Sequence, residues 1–139
     1  MAALNRAVAT LRIVGESLDP DEVTAMLGHA PTKAHRKEEA SATQKAGATL
    51  ASRYSSWRLE ATATEPEDLA AQVDEILEKL TEDVSTWHDL SARYKVDLFC
   101  GWFMNQTNEG VDIPSKTLAA LASRGIALAI DIYAPDGDA

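Results

Sequence analysis

The sequence has little of what would cross-link a chain or hold it in a membrane. Cys100 is the single cysteine in 139 residues, so no internal disulfide can form and a reducing cytoplasm is the simplest compartment. An apolar run such as Ile126 to Ile130 is far shorter than the ~20 residues of a membrane span. The first residues have neither the apolar core nor the cleavage site of a signal peptide. We therefore expect a cytoplasmic protein without a membrane contact.

The sequence also lacks the motifs of the common enzyme classes. It has no Gly-rich phosphate loop, no GxSxG, no HExxH and no CxxC. His29, His35 and His88 do not have the spacing of metal ligands. Cys100 lies within an apolar strand pattern, which favours a buried, inert thiol over a nucleophile. The sequence therefore predicts no catalytic residue, no metal and no cofactor, and it favours a non-enzymatic protein.

Basic residues are scarce over most of the chain. The formal net charge is −9, which argues against nucleic acid as a partner because phosphate binding requires a cationic face. Basic residues concentrate between residues 30 and 58, at Lys33, Arg36, Lys37, Lys45, Arg53 and Arg58. Two interpretations stay open for this basic segment. It is either a solvated loop or a contact region for an anionic or acidic partner.

The apolar pattern predicts the order β-α-loop-β-α-α-β-α-β within one domain, residues 1–139. Helix starts are indicated at Asp19-Pro20, at Pro66, at Asp83 or Ser85, and at Pro114. The predicted strands are Ala7 to Gly15, Trp57 to Thr64, Val96 to Met104 and Ile126 to Tyr133. This order favours an α+β fold, a two-layer sandwich. We expect a largely antiparallel or mixed sheet of about four strands, helices on one side, and a ferredoxin-like outline as one option.

Three finer expectations follow from the same pattern. The strand from Val96 to Met104 is apolar on both faces apart from Asp97, which predicts an interior strand covered on both sides. In the last strand, Ile126, Leu128, Ile130 and Ile132 are predicted to form a buried face. Residues 30–56 show no strong period, although 36–45 could form a short polar helix. A loop of this length is typically functional or disordered.

Five residues are candidates for binding: Arg58, Asp97, Trp102, Asp131 and Tyr133. If the last two strands are neighbours, Asp97 and Asp131 share a sheet face and could pair with arginines from other strands. The alternatives are a structural ion-pair cluster, a carboxylate pair for acid–base chemistry, or a site for a cationic group. Trp102 is either a core residue or part of a pocket wall. Asp131 and Tyr133 point to the open face.

Three stretches of the sequence together indicate a family resemblance. They are LRIVGESLDPDEVTAMLGHAPT near the start, SSWRLEATA in the middle, and LFCGW with IPSKTLAALASRGIALAIDIY at the end. Together they resemble the bacterial family described as domain of unknown function 4279, over nearly the whole chain. The shared motifs are structural: helix caps, a tryptophan strand and a final β-α-β unit. The resemblance implies a small, standalone cytosolic bacterial domain and assigns no reaction and no catalytic residue.

The sequence leaves three hypotheses for function. The first is a protein-interaction module, for example an immunity-like protein that binds a basic, toxin-like partner through an acidic helix face or the 30–56 segment. The second is a small-molecule-binding or enzymatic domain with its site between the sheet and the 30–56 loop. The third is self-association through an open sheet face that bears Arg12, Arg58, Asp131 and Tyr133.

Overall fold

The computed structural model describes residues 6–37 and 53–135. Within these ranges the chain forms one five-stranded sheet and four helices. The strands are Arg6–Gly15 (β1), Lys33–His35 (β2), Ser55–Glu60 (β3), Lys95–Phe103 (β4) and Ala127–Tyr133 (β5). The helices are Pro20–Leu27 (α1), Leu69–Glu78 (α2), Val84–Arg93 (α3) and Ser115–Ser123 (α4).

The strand order in the sheet is β2-β3-β1-β4-β5. β1 runs antiparallel to both β3 and β4, and β5 runs parallel to β4. The predicted α+β class with a mixed sheet is confirmed, and β2 adds a fifth strand. The ferredoxin-like outline does not carry over, because that arrangement splits its β-α-β unit around another strand. Here the parallel strands β4 and β5 are direct neighbours.

The helices cover one face of the sheet. Contacts join α1 to β3, α2 to β1, α3 to β4 and α4 to β5. The alternation predicted for β1 is confirmed: Ala7, Ala9, Leu11 and Ile13 face this layer and are each at most 1% exposed. Their neighbours from β3 and β4 on the same face are Trp57, Leu59, Val96, Leu98, Cys100 and Trp102. The core therefore lies between the sheet and the four helices.

Local capping chemistry sets where the first helix begins and ends. Asp19 is the N-cap of α1, and its side chain accepts a hydrogen bond from the Asp21 amide at 3.0 Å. Pro20 occupies the first helical position, where its missing amide proton costs nothing. Gly28 ends the helix at φ 84°, a conformation that glycine adopts without a steric penalty. These features agree with the sequence-based prediction.

The second helix begins later than predicted. Its N-cap is Asp68, which accepts from the Ala71 amide at 3.1 Å, so Pro66 lies before the helix instead of in its first turn. The cause is tertiary. Ala7 and Thr64 exchange two backbone hydrogen bonds of 3.0 Å, which keeps the chain extended beyond the end of β3 at Glu60. Pairing with β1 therefore outweighs the local helix-start signal at Pro66.

The predicted buried face of the last strand is wrong at its C-terminal half. Ile126 is 5% exposed, but Ile130 is 37% and Ile132 is 61% exposed. The nine residues of α4 span about 13 Å, whereas the seven residues of β5 span about 23 Å. The helix is thus too short to cover the end of the strand. β5 is also an edge strand, so no further strand shields its side chains.

The prediction that β4 is covered on both faces is also wrong. β4 does lie inside the sheet, between β1 and β5. Its second face carries Asp97, Phe99 and Phe103, and no helix among the described residues packs there. We call this second face, across all five strands, the open face. Phe99 and Phe103 are consequently half-buried.

Two further expectations concern the basic segment and the membrane. The polar helix expected at 36–45 falls outside the described residues apart from Arg36 and Lys37. The same segment contributes β2, which the sequence pattern did not reveal. Among the residues placed by the structure, no helix has the length and apolar character to cross a bilayer.

Candidate functional site on the open face

The open face is more basic than the rest of the molecule. All charged side chains of the five strands lie on it, because the opposite face packs under the helices. The basic ones are Arg6, Arg12, Lys33, Arg58 and Lys95, and the acidic ones are Glu60, Asp97 and Asp131. The face is therefore net positive on a chain whose formal charge is −9. Acidic side chains predominate on the helix side and in the loops of the described ranges.

Three basic residues lie side by side across the sheet. Lys33 of β2 is opposite Arg58 of β3, and Arg58 is opposite Arg12 of β1. We call these three residues the cationic row. Asp97 of β4 follows directly, because it is the partner of Arg12 in the register between β1 and β4. The strand register thus produces a line of three cations that ends at one carboxylate.

The pair at the end of the row is well formed. Arg12 donates from Nε to Asp97 Oδ1 and from Nη2 to Asp97 Oδ2, both at 2.8 Å. The side chain of Asp97 is 6% exposed and that of Arg12 is 29% exposed. Hydrogen bonding to Asp97 raises the pKa of Arg12 further. Its guanidinium also lies 4.5 Å from the ring centre of Phe99. Both oxygens of Asp97 are therefore committed to a structural contact.

A second arginine–aromatic contact lies further along the open face. The guanidinium of Arg6 is 5.3 Å from the ring centre of Phe103. Phe103 stacks on Tyr133, with ring centres 4.8 Å apart and planes inclined by 12°. Such contacts hold arginines close to the sheet at modest energetic gain. They also place the half-exposed Tyr133 at the β5 side of the open face.

A cavity of about 580 Å³ opens over the other end of the cationic row. It is lined by Val14, Lys33, Ala34, His35, Tyr54, Ser56 and Arg58. Lys33 has one acidic neighbour, Glu60, at 3.8 Å. Arg58 forms no ion pair with any residue that the structure describes. The volume is in the range of small-molecule sites, which run from about 300 to 1,000 Å³.

The five predicted binding residues do not converge on one site. Arg58 lines the cavity, while Asp97 lies in a separate, smaller recess of about 160 Å³ with Arg12, Val14 and Lys95. Asp131 and Tyr133 share the open face with Asp97, as expected for neighbouring last strands, but they lie on the edge strand. Trp102 faces the helices, is 7% exposed, and its Nε1 has no hydrogen-bond partner among the described residues.

Of the seven described cavity residues, only Arg58 was a candidate from the sequence, and Lys33, His35 and Tyr54 are among those that it did not predict. Lys33 and His35 belong to a three-residue strand, which is too short for an alternation to be visible. Tyr54 precedes β3 at the end of the weakly patterned basic segment. The signal that the sequence offered for this region was the excess of basic residues between 30 and 58.

Cys100 is a buried thiol with no exposed surface. Removal from water raises its pKa to about 12, with Asp97 and Glu67 as smaller contributions. We expect Cys100 in the folded protein to react with a thiol reagent such as iodoacetamide at pH 8 no faster than global or local opening permits. Mass spectrometry of the native and urea-unfolded protein checks this. Rapid labelling of the native protein would contradict the placement.

The raised pKa of Cys100 makes the stability of the fold depend on pH above 9. Because the folded-state pKa of Cys100 is raised from 9.0 to about 12, its thiol stabilises the fold below pH 9. This contribution is lost as the pH rises from 9 towards 12, where the unfolded chain carries a thiolate and the folded chain does not. Cys100→Ala should reduce the alkaline loss of stability over this window, which urea titrations at several pH values measure.

The arrangement on the open face suits binding better than acid–base chemistry. Asp97 is held by Arg12, and Asp131 lies on the edge strand opposite Gly101, so the two carboxylates do not form a proton-sharing pair. Within residues 6–37 and 53–135, His, Cys, Asp and Glu side chains form no cluster of three or more that could hold a metal ion.

The fold and the site of residues 6–37 and 53–135 define a small two-layer α+β domain, with one sheet face covered by helices and one basic face that no helix of these ranges covers. The chain belongs to the family described as domain of unknown function (DUF4279), whose model matches residues 4–135. This confirms the resemblance found in the sequence. Searches of curated proteins and of solved structures gave no match.

Proposed function

We propose that this chain is a non-enzymatic protein-interaction module that binds its partner along β5. The observation that carries the proposal is a set of exposed apolar side chains at one edge of the sheet, which we call the β5 surface. Leu118 of α4 and Ile130 and Ile132 of β5 lie on the helix side, and Tyr133 of β5 lies on the open face. These side chains are 46%, 37%, 61% and 45% exposed, respectively. They account for most of the large, exposed hydrophobic residues of the described ranges. Exposed apolar side chains concentrated at one edge of a sheet are typical of a contact site.

The backbone of β5 supports the same conclusion. β5 pairs with β4 on one side and has no strand on the other among the described residues. An edge strand presents unpaired amide and carbonyl groups that a further strand can use. Edge strands are commonly protected by lysine, proline or a bulge. β5 has none of these between Ala127 and Tyr133, and its one charge is Asp131.

A second copy of this chain is the partner that β5 fits best. Two β5 strands related by a two-fold axis would pair antiparallel and extend the sheet across both copies. A register centred on Ile130 places Asp131 opposite Ala129 and Ile132 opposite Leu128, so no like charges meet. α4, which carries the exposed Leu118, contacts β5, so a partner seated on this edge could also reach Leu118. Self-association was one of the partners expected from the sequence.

A basic protein, the toxin-like partner of an immunity protein, is the heterotypic version of this function. The predominance of acidic side chains on α1, α2 and the loops of the helix side supports it, because a basic surface would be attracted there. That attraction is long-ranged and weakens with salt. Among the described residues, the acidic helix side offers no exposed apolar surface comparable to the β5 surface. We therefore favour self-association through β5.

Ile132→Lys is the sharpest test of the interaction. We expect the wild-type chain to be dimeric at micromolar concentration in sedimentation equilibrium, and the variant to dissociate at least about a hundredfold more readily. The reason is that burying an isoleucine contributes about 1.5–3 kcal/mol, and the symmetric interface contains two copies. Thermal unfolding of the monomer should change little, since Ile132 is mostly exposed.

Val84→Lys is a matched control. Val84 begins α3 and is 44% exposed, and the change introduces the same charge away from β5. It should leave the dimer intact. If the wild-type chain is still monomeric at a concentration 100-fold above the tested range, self-association is rejected. Retention of a partner protein by the wild type but not by Ile132→Lys would then assign β5 to a heterotypic contact.

A further inference from the structure

The positive charges of the cationic row are not fully balanced by carboxylates among the described residues. Like charges directly opposite one another in a sheet are destabilising. Arg58 has Lys33 on one side and Arg12 on the other. Of the three carboxylates on the open face, Asp97 is bound by Arg12 through both oxygens and Asp131 is on the far edge strand. Glu60 is near Lys33, at 3.8 Å.

Arg58 is therefore a guanidinium between two cations, without an ion-pair partner in the described ranges. Its location is also concave, because it lines the cavity of about 580 Å³. We propose that this cavity is a binding site for a small anionic molecule that carries a carboxylate or phosphate group on an apolar body. Arg58 and Lys33 bind the anionic group, and Val14 and Tyr54 contact the body. This site is independent of the β5 surface.

The donors at the cavity match an oxyanion. A guanidinium presents two parallel N–H groups to a carboxylate or phosphate, and an ammonium adds a point charge. Ser56 contributes a hydroxyl on the same face, opposite His35 in the register between β2 and β3. The Nε2 atom of His35 is buried and has no hydrogen-bond partner among the described residues. A ligand atom would satisfy such a group, whose isolation otherwise costs free energy.

The walls of the cavity indicate the rest of the ligand. Val14 and Tyr54 contribute apolar surface, and the Tyr54 side chain is 44% exposed without a ligand. A planar or aliphatic body against these two side chains would be removed from water, which favours binding. Inorganic anions lack such a body and would use only the cationic end of the site.

A small molecule fits better than a polyanion. A nucleic acid strand would extend beyond the cavity and meet a chain of net charge −9, which opposes the approach of a long polyanion. A small anion with one or two charges meets chiefly the local field of the cationic row, since more distant charges are screened at physiological salt. The sequence-based hypothesis of a small-molecule site near the sheet and the 30–56 segment agrees with this location.

Isothermal titration calorimetry of the full chain tests the proposal with four probes: inorganic phosphate, phenyl phosphate, acetate and benzoate. We expect saturable one-to-one binding of at least one aryl probe, more tightly than its inorganic or methyl counterpart. Arg58→Gln should weaken that binding at least tenfold, because it removes the charge-assisted hydrogen bonds. Tyr54→Ala should weaken the binding of the aryl probe but not that of inorganic phosphate. The preferred anionic group identifies the chemical source of the ligand.

Lys116→Gln is the control for net charge, since Lys116 is an exposed cation on α4, remote from the cavity. It should change the affinity by less than twofold. Arg58 is itself exposed, so its replacement should preserve the fold, which circular dichroism verifies. Equal affinity of Arg58→Gln and Lys116→Gln for the probe overturns the proposal, as does the lack of saturable binding of all four probes. The oligomeric state of these variants should match wild type, because β5 lies at the other edge of the sheet.

Discussion

Replacing Trp57 with alanine is expected to reduce the free energy of unfolding by about 3–5 kcal/mol, the largest single effect we predict. Trp57 lies in β3, is 0% exposed and packs in the core beneath α1. Its Nε1 donates a 3.0 Å hydrogen bond to Thr24 Oγ1. Alanine removes both the packing of the indole and this bond, and leaves a cavity that a close-packed interior fills only in part.

Urea unfolding of the wild type and of three variants separates these contributions. Trp57→Phe retains most of the apolar contact but loses the hydrogen bond. Thr24→Val removes the acceptor and leaves the indole N–H unsatisfied, which costs about 1–3 kcal/mol. We expect Trp57→Ala to be the most destabilising of the three. A loss below about 1 kcal/mol for Trp57→Ala would show that Trp57 is not packed as described.

The predictions that hold are those in which local chemistry decides the outcome. In β1, a strict alternation places four small and aliphatic side chains on one face, and a one-residue slip would expose all of them. In α1, Asp19, Pro20 and Gly28 fix both ends of the helix within the segment itself. Neither element needs information from distant residues, so the pattern was sufficient for both.

The errors arise where distant residues decide. Thr64 is held by Ala7, which displaces the start of α2 from Pro66 to Leu69. Ile130 and Ile132 have the alternation of buried residues, but burial depends on which strand forms the edge and on how far α4 reaches. Strand order is a nonlocal property, and the apolar pattern of β5 is the same whether a helix, a strand or a partner covers it.

The candidate site, too, depends on which distant residues the strand order brings together. Arg58 could be named from the sequence as a charged residue on an exposed strand face. Its neighbours could not, because Lys33 and Arg12 are separated from it by 25 and 46 positions along the chain and meet it only through the register of β2, β3 and β1. The cationic row is thus a product of strand order. The cavity adds a concavity that no sequence pattern encodes.

The two proposed binding surfaces are at opposite ends of one sheet. The cavity lies over β2, β3 and β1, and the β5 surface lies beyond β4. A dimer formed through β5 would therefore keep both cavities accessible and place them at the outer ends of an extended sheet. The ion pair of Arg12 and Asp97 lies between the two surfaces. Asp97 thus ends the cationic row on the side of the sheet that leads to β5.

Asp97→Ala is expected to destabilise the fold by about 2–4 kcal/mol. Asp97 is 4% exposed and binds Arg12 through two 2.8 Å hydrogen bonds. Its removal leaves the partly buried guanidinium of Arg12 without this partner and next to Arg58, with Lys33 beyond. We expect the low end of the range because Arg12 is 29% exposed and water can partly solvate it. Urea unfolding at low and high salt provides the measurement.

The paired variant Arg12→Met/Asp97→Leu distinguishes the loss of the pair from the loss of one partner. Removing both charges leaves two apolar side chains, of which the one at position 12 lies against Phe99, and replacing an ion pair in this way is commonly neutral or stabilising. We expect it to lie within about 1 kcal/mol of wild type, which gives a large coupling energy in the double-mutant cycle with the single variants Arg12→Met and Asp97→Leu. Salt should stabilise Asp97→Ala more than the paired variant, because screening weakens the repulsion among the cations. Additive effects of Arg12→Met and Asp97→Leu would mean that the unpaired charge of Arg12 is not what destabilises the variants that lack Asp97.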